Sequence, residues 1–446
     1  MRRLLFAVGV LLAAAPAYAN VRFPTTQTIS FRKGTTSDLV LGSTPGLLLS
    51  KDDGKHFYWV CDNAIFGDNS DLYDPDYKIA ADGTIYANTP AGVRISRDGG
   101  CTFDIAQVEN ITPQKWVDAI ALGPNDEVWI GQTEGGKPND VFLSTDGGQH
   151  WASKGLLSPT TWWKSIRVAA SNPQRVYLSG YEVTQVAPDG GTAGPRARVL
   201  RTDDQGGKWT ELPTTDITLS TSSPMVFVMA VSPTDPDLLF LISQAASPPM
   251  GDKLYRSTDG GMTWSFMLDS KSPIRAVVFL QDGSVVAASQ MGSWQAPTAT
   301  GTFAELAGQP QLECLGQRED GAIFGCGANW DPDFLALGES GPSPVGPWTK
   351  VFRFSEMAGP LSCPAGTVQH DVCELQLWPS VKEQFGIAEV DGAPMPDAQV
   401  PPMKKPTGCC DSSAGGLETF VIVVIAVGIG GLLFRRGKKK KKACCQ

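Results

Sequence analysis

Five times between residues 50 and 264 the chain repeats one pattern: a hydroxyl residue, then Asp, Gly and an aromatic at fixed offsets. The copies are Ser50, Asp52, Gly54, Phe57; Ser96, Asp98, Gly100, Phe103; Ser144, Asp146, Gly148, Trp151; Thr202, Asp204, Gly206, Trp209; and Ser257, Asp259, Gly261, Trp264. Two degenerate copies that have lost the Asp end at Phe303 and Trp348, so the aromatic positions lie 46, 48, 58, 55, 39 and 45 residues apart. A period of that length is a supersecondary unit, and units of this kind bury their faces only by stacking on one another. The motif itself is turn chemistry. A carboxylate can accept backbone N–H bonds inside a hairpin, Gly supplies positive φ, and the aromatic packs between units.

Each period divides into four strand-like runs separated by Gly, Pro, Asn and Asp turns. The third reads as strands at 117–122, 127–132, 141–144 and 150–153, and the fifth at 226–231, 238–243, 253–257 and 263–268. Gly and Pro make up about 18% of the 446 residues, too little for a low-complexity chain but suited to many short turns. Seven four-stranded units predict an all-β fold, a seven-bladed β-propeller over residues 20–357.

This repeat resembles the Asp-box, or BNR repeat, of sialidase-like and sortilin-like propellers, over about three quarters of the chain. The resemblance implies a propeller and a structural role for Asp52, Asp98, Asp146, Asp204 and Asp259. Sialidase activity would also need three arginines and a late Tyr–Glu pair, whereas no Tyr follows Tyr255.

The ends carry different information. Met1-Arg2-Arg3, an apolar stretch and Ala17-Tyr18-Ala19 read as a signal peptide, residues 1–19. Beyond the propeller we expect a Cys-clipped extension (358–390), a Pro-rich stalk (391–416), a transmembrane or sorting helix (417–434) and a basic cytoplasmic tail (435–446). The apolar run 419–434 is 16 residues, about 24 Å as a helix and short for a bilayer of roughly 30 Å. Cys409-Cys410, the glycine-bearing apolar run and the basic cluster together resemble the tripartite sorting tails of myxobacterial surface proteins (MYXO-CTERM). That resemblance implies display at the surface of a Gram-negative cell. A plain single-pass inner-membrane anchor with a periplasmic body is the competing reading, and either way the membrane is reached through this C-terminal helix.

Between the basic ends, 28 basic residues face 46 acidic ones, a net charge of −18 that argues against nucleic-acid binding. Three histidines leave no cluster for a zinc site or a triad. Of ten cysteines, six lie in the exported body. Cys314 and Cys326 flank a turn symmetrically and suit a cross-strand bond; Cys363 with Cys373 closes a small loop; Cys61 and Cys101 pair by elimination.

In a meander blade the motif turns share one face, and the opposite face, where propellers usually bind ligands, carries the other loops. Those loops hold Phe66, Tyr73, Trp116, Trp162, Trp163, Tyr181, Trp294 and Trp330, with Asp118 and Asp331 nearby. We expect Trp116, Trp162, Trp163, Trp294, Trp330, Asp118 and Asp331 to form a platform for a glycan or protein ligand. The competing reading is that these aromatics only brace the loops. The acidic loop with Asp68, Asp71, Asp74 and Asp76 offers oxygen ligands for Ca²⁺, although it lacks a calcium-loop register, and a solvated loop is the simpler reading. No catalytic residue set or other cofactor motif is evident. The sequence therefore reads as a monomeric, exported binding module, with a glycoside hydrolase using paired carboxylates as the alternative.

Overall fold

The computed structural model describes residues 24–388 apart from 68–72, 107–114, 184, 187–191, 246–250, 328–335 and 342–344. The signal, stalk, apolar helix and basic tail expected from the sequence lie outside the described residues. Among the described residues, no helix is long and apolar enough to cross a membrane.

The seven expected blades are present, at 26–60, 77–105, 117–153, 161–211, 226–269, 274–305 and 314–352, each an antiparallel four-stranded sheet in the order A-B-C-D. In blade 3 the strands are Val117–Leu122, Val128–Gln132, Val141–Ser144 and Ala152–Ser153. The last begins two residues later than expected, because His150 and Trp151 still belong to the motif turn: the N–H of His150 donates to Asp146 rather than to the ladder. Blade 4 departs from the regular unit, with strands A and B of 9 and 11 residues and a small extra hairpin between B and C.

All five motif turns share one hydrogen-bond scheme. In blade 3 the Ser144 hydroxyl donates to Asp146 at 2.8 Å and accepts the Gly148 N–H at 2.8 Å, while Asp146 Oδ1 accepts the N–H groups of Gln149 and His150 at 3.1 and 2.9 Å. The His150 N–H, together with its imidazole, holds the Asp146 carboxyl well below the usual range, although burial opposes this. Two successive residues sit at positive φ in every copy, such as Gly147 and Gly148 or Gln205 and Gly206, which is why the turn ends on Gly. Asp259 repeats the scheme, accepting from Ser257 Oγ, Thr263 N and Thr263 Oγ1 at 2.8, 2.9 and 2.6 Å. Asp259→Ala should therefore lower stability by about 1–2 kcal/mol, as loss of a helix cap does, without altering ligand binding at the opposite face. A denaturant titration checks the first part; an unchanged midpoint would show the carboxylate to be dispensable.

The motif aromatic of each blade packs onto the preceding blade. Phe57 meets Phe352 of blade 7 at 4.6 Å between ring centroids, Trp209 meets Trp129 at 6.3 Å, and Phe303 meets Phe240 at 5.7 Å. Seven apolar clusters result, one per pair of neighbouring blades.

The seam between blades 7 and 1 is closed in an unexpected way. The Thr26 N–H donates to Gly327 O at 3.1 Å, and the segment after blade 7 adds a second set of contacts. Gly359–Pro360 adds a parallel fifth strand outside Tyr58–Val60, with Leu361 N donating to Trp59 O at 2.8 Å. A π-helix, Gln369–Leu377, and an α-helix, Trp378–Phe385, then lay Leu377, Trp378, Val381 and Phe385 over the cluster shared by blades 7 and 1. Gln369, fully buried, bridges the two layers by donating to Trp59 O at 2.8 Å and accepting Cys61 N at 3.3 Å.

The disulfides correct two expectations. Cys314–Cys326 forms across strands A and B of blade 7 as expected. Cys363 and Cys373 do not pair with each other, nor do Cys61 and Cys101; the bonds are Cys61–Cys373 and Cys101–Cys363, spanning 312 and 262 residues. The extension does not curl into its own loop. It runs as a strap along the outer edge of blade 1, and each cysteine meets the blade residue beneath it.

Candidate functional site

The central channel opens through a repeated irregularity in strand A. In blades 1, 3, 4, 5 and 6 the A–B ladder skips one residue, Gln27, Asp118, Lys164, Met229 and Arg275, of which all but Met229 are polar. A bulge leaves that residue unpaired and turns its side chain out of the strand's alternation. Small residues stand beside the four polar bulges, Gly42, Gly131, Gly180 and Ala288. A Cβ at Gly180 would lie 2.2 Å from the Trp162 carbonyl oxygen, and one at Gly131 2.8 Å from the Trp163 Cβ, so these positions have room only for Gly.

The polar bulged residues find partners across the blades. Gln27 donates to Asp74 at 2.7 Å, Arg275 pairs with Glu313 at 2.9 Å, and Lys164 pairs with Asp118. The Asp118–Lys164 pair has the richest surroundings. Asp118 also accepts the Trp116 indole N–H at 2.8 Å and the Tyr73 hydroxyl at 3.4 Å. Tyr73 lies edge-on to Trp116 at 5.5 Å; Lys164 sits over the Trp162 ring at 5.4 Å, and Trp162 packs on Tyr181 at 5.4 Å. Buried Asn88 supports the group from below, donating to Asp118 O at 2.7 Å and Tyr73 Oη at 3.1 Å while accepting Asp76 N at 2.6 Å. Burial, then the Asp118 charge, push the Tyr73 phenol well above its ordinary value, so it remains a donor at physiological pH.

Beneath this group lies a cavity of about 200 Å³ lined by strand-A residues of blades 3, 4 and 5 together with Asp76, which precedes strand A of blade 2. Asp76 is paired with Lys78 at 2.7 Å. Arg167, three residues beyond Lys164, reaches the same cavity.

The expected platform thus divides. Trp116, Trp162 and Asp118 come together, with Trp116 38% exposed. Trp163 is a correction: Trp162 and Trp163 are strand residues within Thr161–Ala169, not loop residues. Alternation sends Trp163, 1% exposed, into the apolar cluster between blades 3 and 4, with the Arg198 guanidinium 5.9 Å from its ring centre. Trp294 stands within strand C of blade 6, Gly292–Ala296, against the cluster of blades 5 and 6. Phe66 is likewise buried, between blades 1 and 2. Trp330 and Asp331 lie outside the described residues, as do Asp68 and Asp71. Asp74 and Asp76 are engaged by Gln27 and Lys78, and among the described residues no cluster of three metal-ligating side chains occurs.

Lys164, Arg167 and Asn88 are additions from the structure. The available signal was the isolated Gly within strand B, at positions 42, 131 and 180, which marks a bulge in the partner strand.

No protein-family model matches this chain. Among curated proteins it is similar to a probable oligoxyloglucan-reducing end-specific xyloglucanase of Neosartorya fischeri, 23% identical over 206 residues, covering 45% of this chain and 21% of that protein. The chain therefore matches about a fifth of that relative's length. Among solved structures it is similar to YCF48 from Cyanidioschyzon merolae, with TM-score 0.47 and 14% identity over 69% of this chain and 95% of that one. It is also similar to a protein of unknown function from Dyadobacter fermentans, with TM-score 0.40 and 14% identity over 64% of this chain and 93% of that one.

Proposed function

We propose that this protein is an exported binding module that takes a glycan or protein ligand at the channel mouth of blades 2 to 4. The observation that carries this reading is the grouping of Tyr73, Trp116, Trp162 and Tyr181 around the Asp118–Lys164 pair. Rings provide flat apolar area, and the ion pair offers a fixed acceptor and a fixed donor, the combination that orients a polar ligand. Three disulfides in the body support an oxidising compartment and hence export, in keeping with the leader-like N-terminus; display through the C-terminal tail belongs to the same reading.

The test is a glycan and peptide array probed with the purified chain, followed by Trp116→Ala. Affinity for any array hit should fall by about 30-fold, roughly 2 kcal/mol, while the melting temperature stays nearly constant because Trp116 is exposed. Hits that bind Trp116→Ala as well as the parent would move the site elsewhere.

The second reading is a glycoside hydrolase, favoured by the likeness to the xyloglucanase and by two carboxylates, Asp76 and Asp118, on one cavity. Against it, both carboxylates are committed to lysines, whereas a glycosidase needs a carboxyl group that carries a proton to the leaving oxygen. Reducing-sugar release from xyloglucan oligomers, abolished in Asp118→Asn, would reverse the order of the two readings.

A further inference from the structure

Every charged side chain on the channel cavity except one has an opposite charge beside it. Asp118 has Lys164, and Asp76 has Lys78. Arg167 has no carboxylate within ion-pair distance among the described residues. Its guanidinium is held by two carbonyl oxygens, Nε donating to Met229 O and Nη1 to Ile166 O, both at 2.8 Å. The Met229 carbonyl is available because Met229 is the bulge residue of its own strand, where the ladder skips from Val228 to Ala230. These bonds fix the direction of the guanidinium and leave Nη2 without an acceptor among the described residues, in a cavity that Arg167 lines. Protein surrounds the group closely enough that burial lowers its pKa from the ordinary arginine value, with Asp76 opposing. Arg167 is only partly buried and Nη2 is not sealed off, so this donor is open to an acceptor that enters the cavity.

We propose that the cavity seats the carboxylate of an acidic sugar end-group, a uronate, with Arg167 as its anchor and the Asp118–Lys164 pair binding the ring hydroxyls. The proposal rests on the channel mouth being the ligand face and names the ligand class for it. Size supports an end-group: about 200 Å³ is below the several hundred that enclose a larger ligand, and amounts to roughly six or seven water volumes. Charge supports a single carboxylate over a polyanion. The body's net −18 repels a string of negative charges, but at physiological salt screening acts over about 8 Å, so a lone carboxylate against Arg167 is governed by its contact partner. Trp116 and Trp162, in contact with the cavity residues Asp118 and Lys164, offer rings on which a following sugar would stack.

The experiment compares D-glucuronate with D-glucose by saturation-transfer NMR and titration on the purified full chain at matched ionic strength. Glucuronate should bind at least about tenfold more tightly than glucose, and Arg167→Gln should remove that preference while Arg167→Lys keeps part of it. Equal binding of the two sugars to the parent protein, or no binding of glucuronate, overturns the proposal, and that measurement needs no variant. A preference that survives in folded Arg167→Gln overturns it as well. So does a free-carboxylate peptide that binds through Arg167 where glucuronate does not. Neutral array ligands that still depend on Trp116 in any of these cases would leave the wider reading of the channel mouth standing. Array ligands indifferent to Trp116 would remove the wider reading itself.

Discussion

Replacing Cys61, Cys101, Cys363 and Cys373 together by Ala is expected to lower the unfolding free energy by at least about 5 kcal/mol, the largest effect of any change considered for this protein. The two bonds span 312 and 262 residues, so each restricts an unfolded chain far more than Cys314–Cys326, whose partners are 12 apart and whose loss should cost about 3 kcal/mol. The long-range bonds are nested. With Cys101–Cys363 intact, Cys61–Cys373 closes only a ring of about 50 residues, so removing one of them should cost less than half of what removing both does. The quadruple variant also frees the strap that covers the seam, and limited proteolysis should cut first between residues 357 and 388. Urea titrations of the parent, each pair variant and the quadruple variant check the ranking. A quadruple variant as stable as the Cys314→Ala, Cys326→Ala pair would mean that packing of Trp378 on Trp59, rather than the crosslinks, closes the ring.

Trp163→Ala and Trp116→Ala should behave as opposites, although both residues belong to the same row of aromatics in the sequence. Trp163 is 1% exposed and packed among Trp129, Ile166 and Leu178, so truncation should cost about 3–5 kcal/mol, with binding retained in the folded fraction. Trp116 is 38% exposed, so its truncation should cost less than about 1 kcal/mol in stability and be felt in binding. Melting curves and array binding measured side by side decide the matter. Loss of binding at full stability in Trp163→Ala would place that ring at the surface and contradict the strand alternation on which its burial rests.

Trp162 and Trp163 also show where reading the sequence reached its limit. Both read from the sequence as loop residues; in the strand Thr161–Ala169 which tryptophan faces the core depends on the register, and a bulge at Lys164 changes the parity halfway along. Asp118 reads from the sequence only as a carboxylate near aromatic loops, whereas it stands in strand A of blade 3, at a bulge beside Trp116. Lys164 and Arg167 sit in strand A of blade 4, and their role depends on Asp118 and Met229 from blades 3 and 5, partners that no local pattern names.

Local chemistry determined what could be read directly. The motif turn is satisfied within eight residues, its hydroxyl, carboxylate and glycine bonding one another's backbone, so its spacing alone was enough to count the blades and place their strands. Closure of the ring, the pairing of the cysteines and the polar lining of the channel were decided only in three dimensions. Closing a loop of 300 residues costs little more than closing one of 50, because the entropic penalty grows only with the logarithm of length. Proximity in sequence is therefore a weak guide to which cysteine meets which, and the path of the strap over blade 1, fixed by Trp59, Gln369 and Trp378, settles the pairing instead.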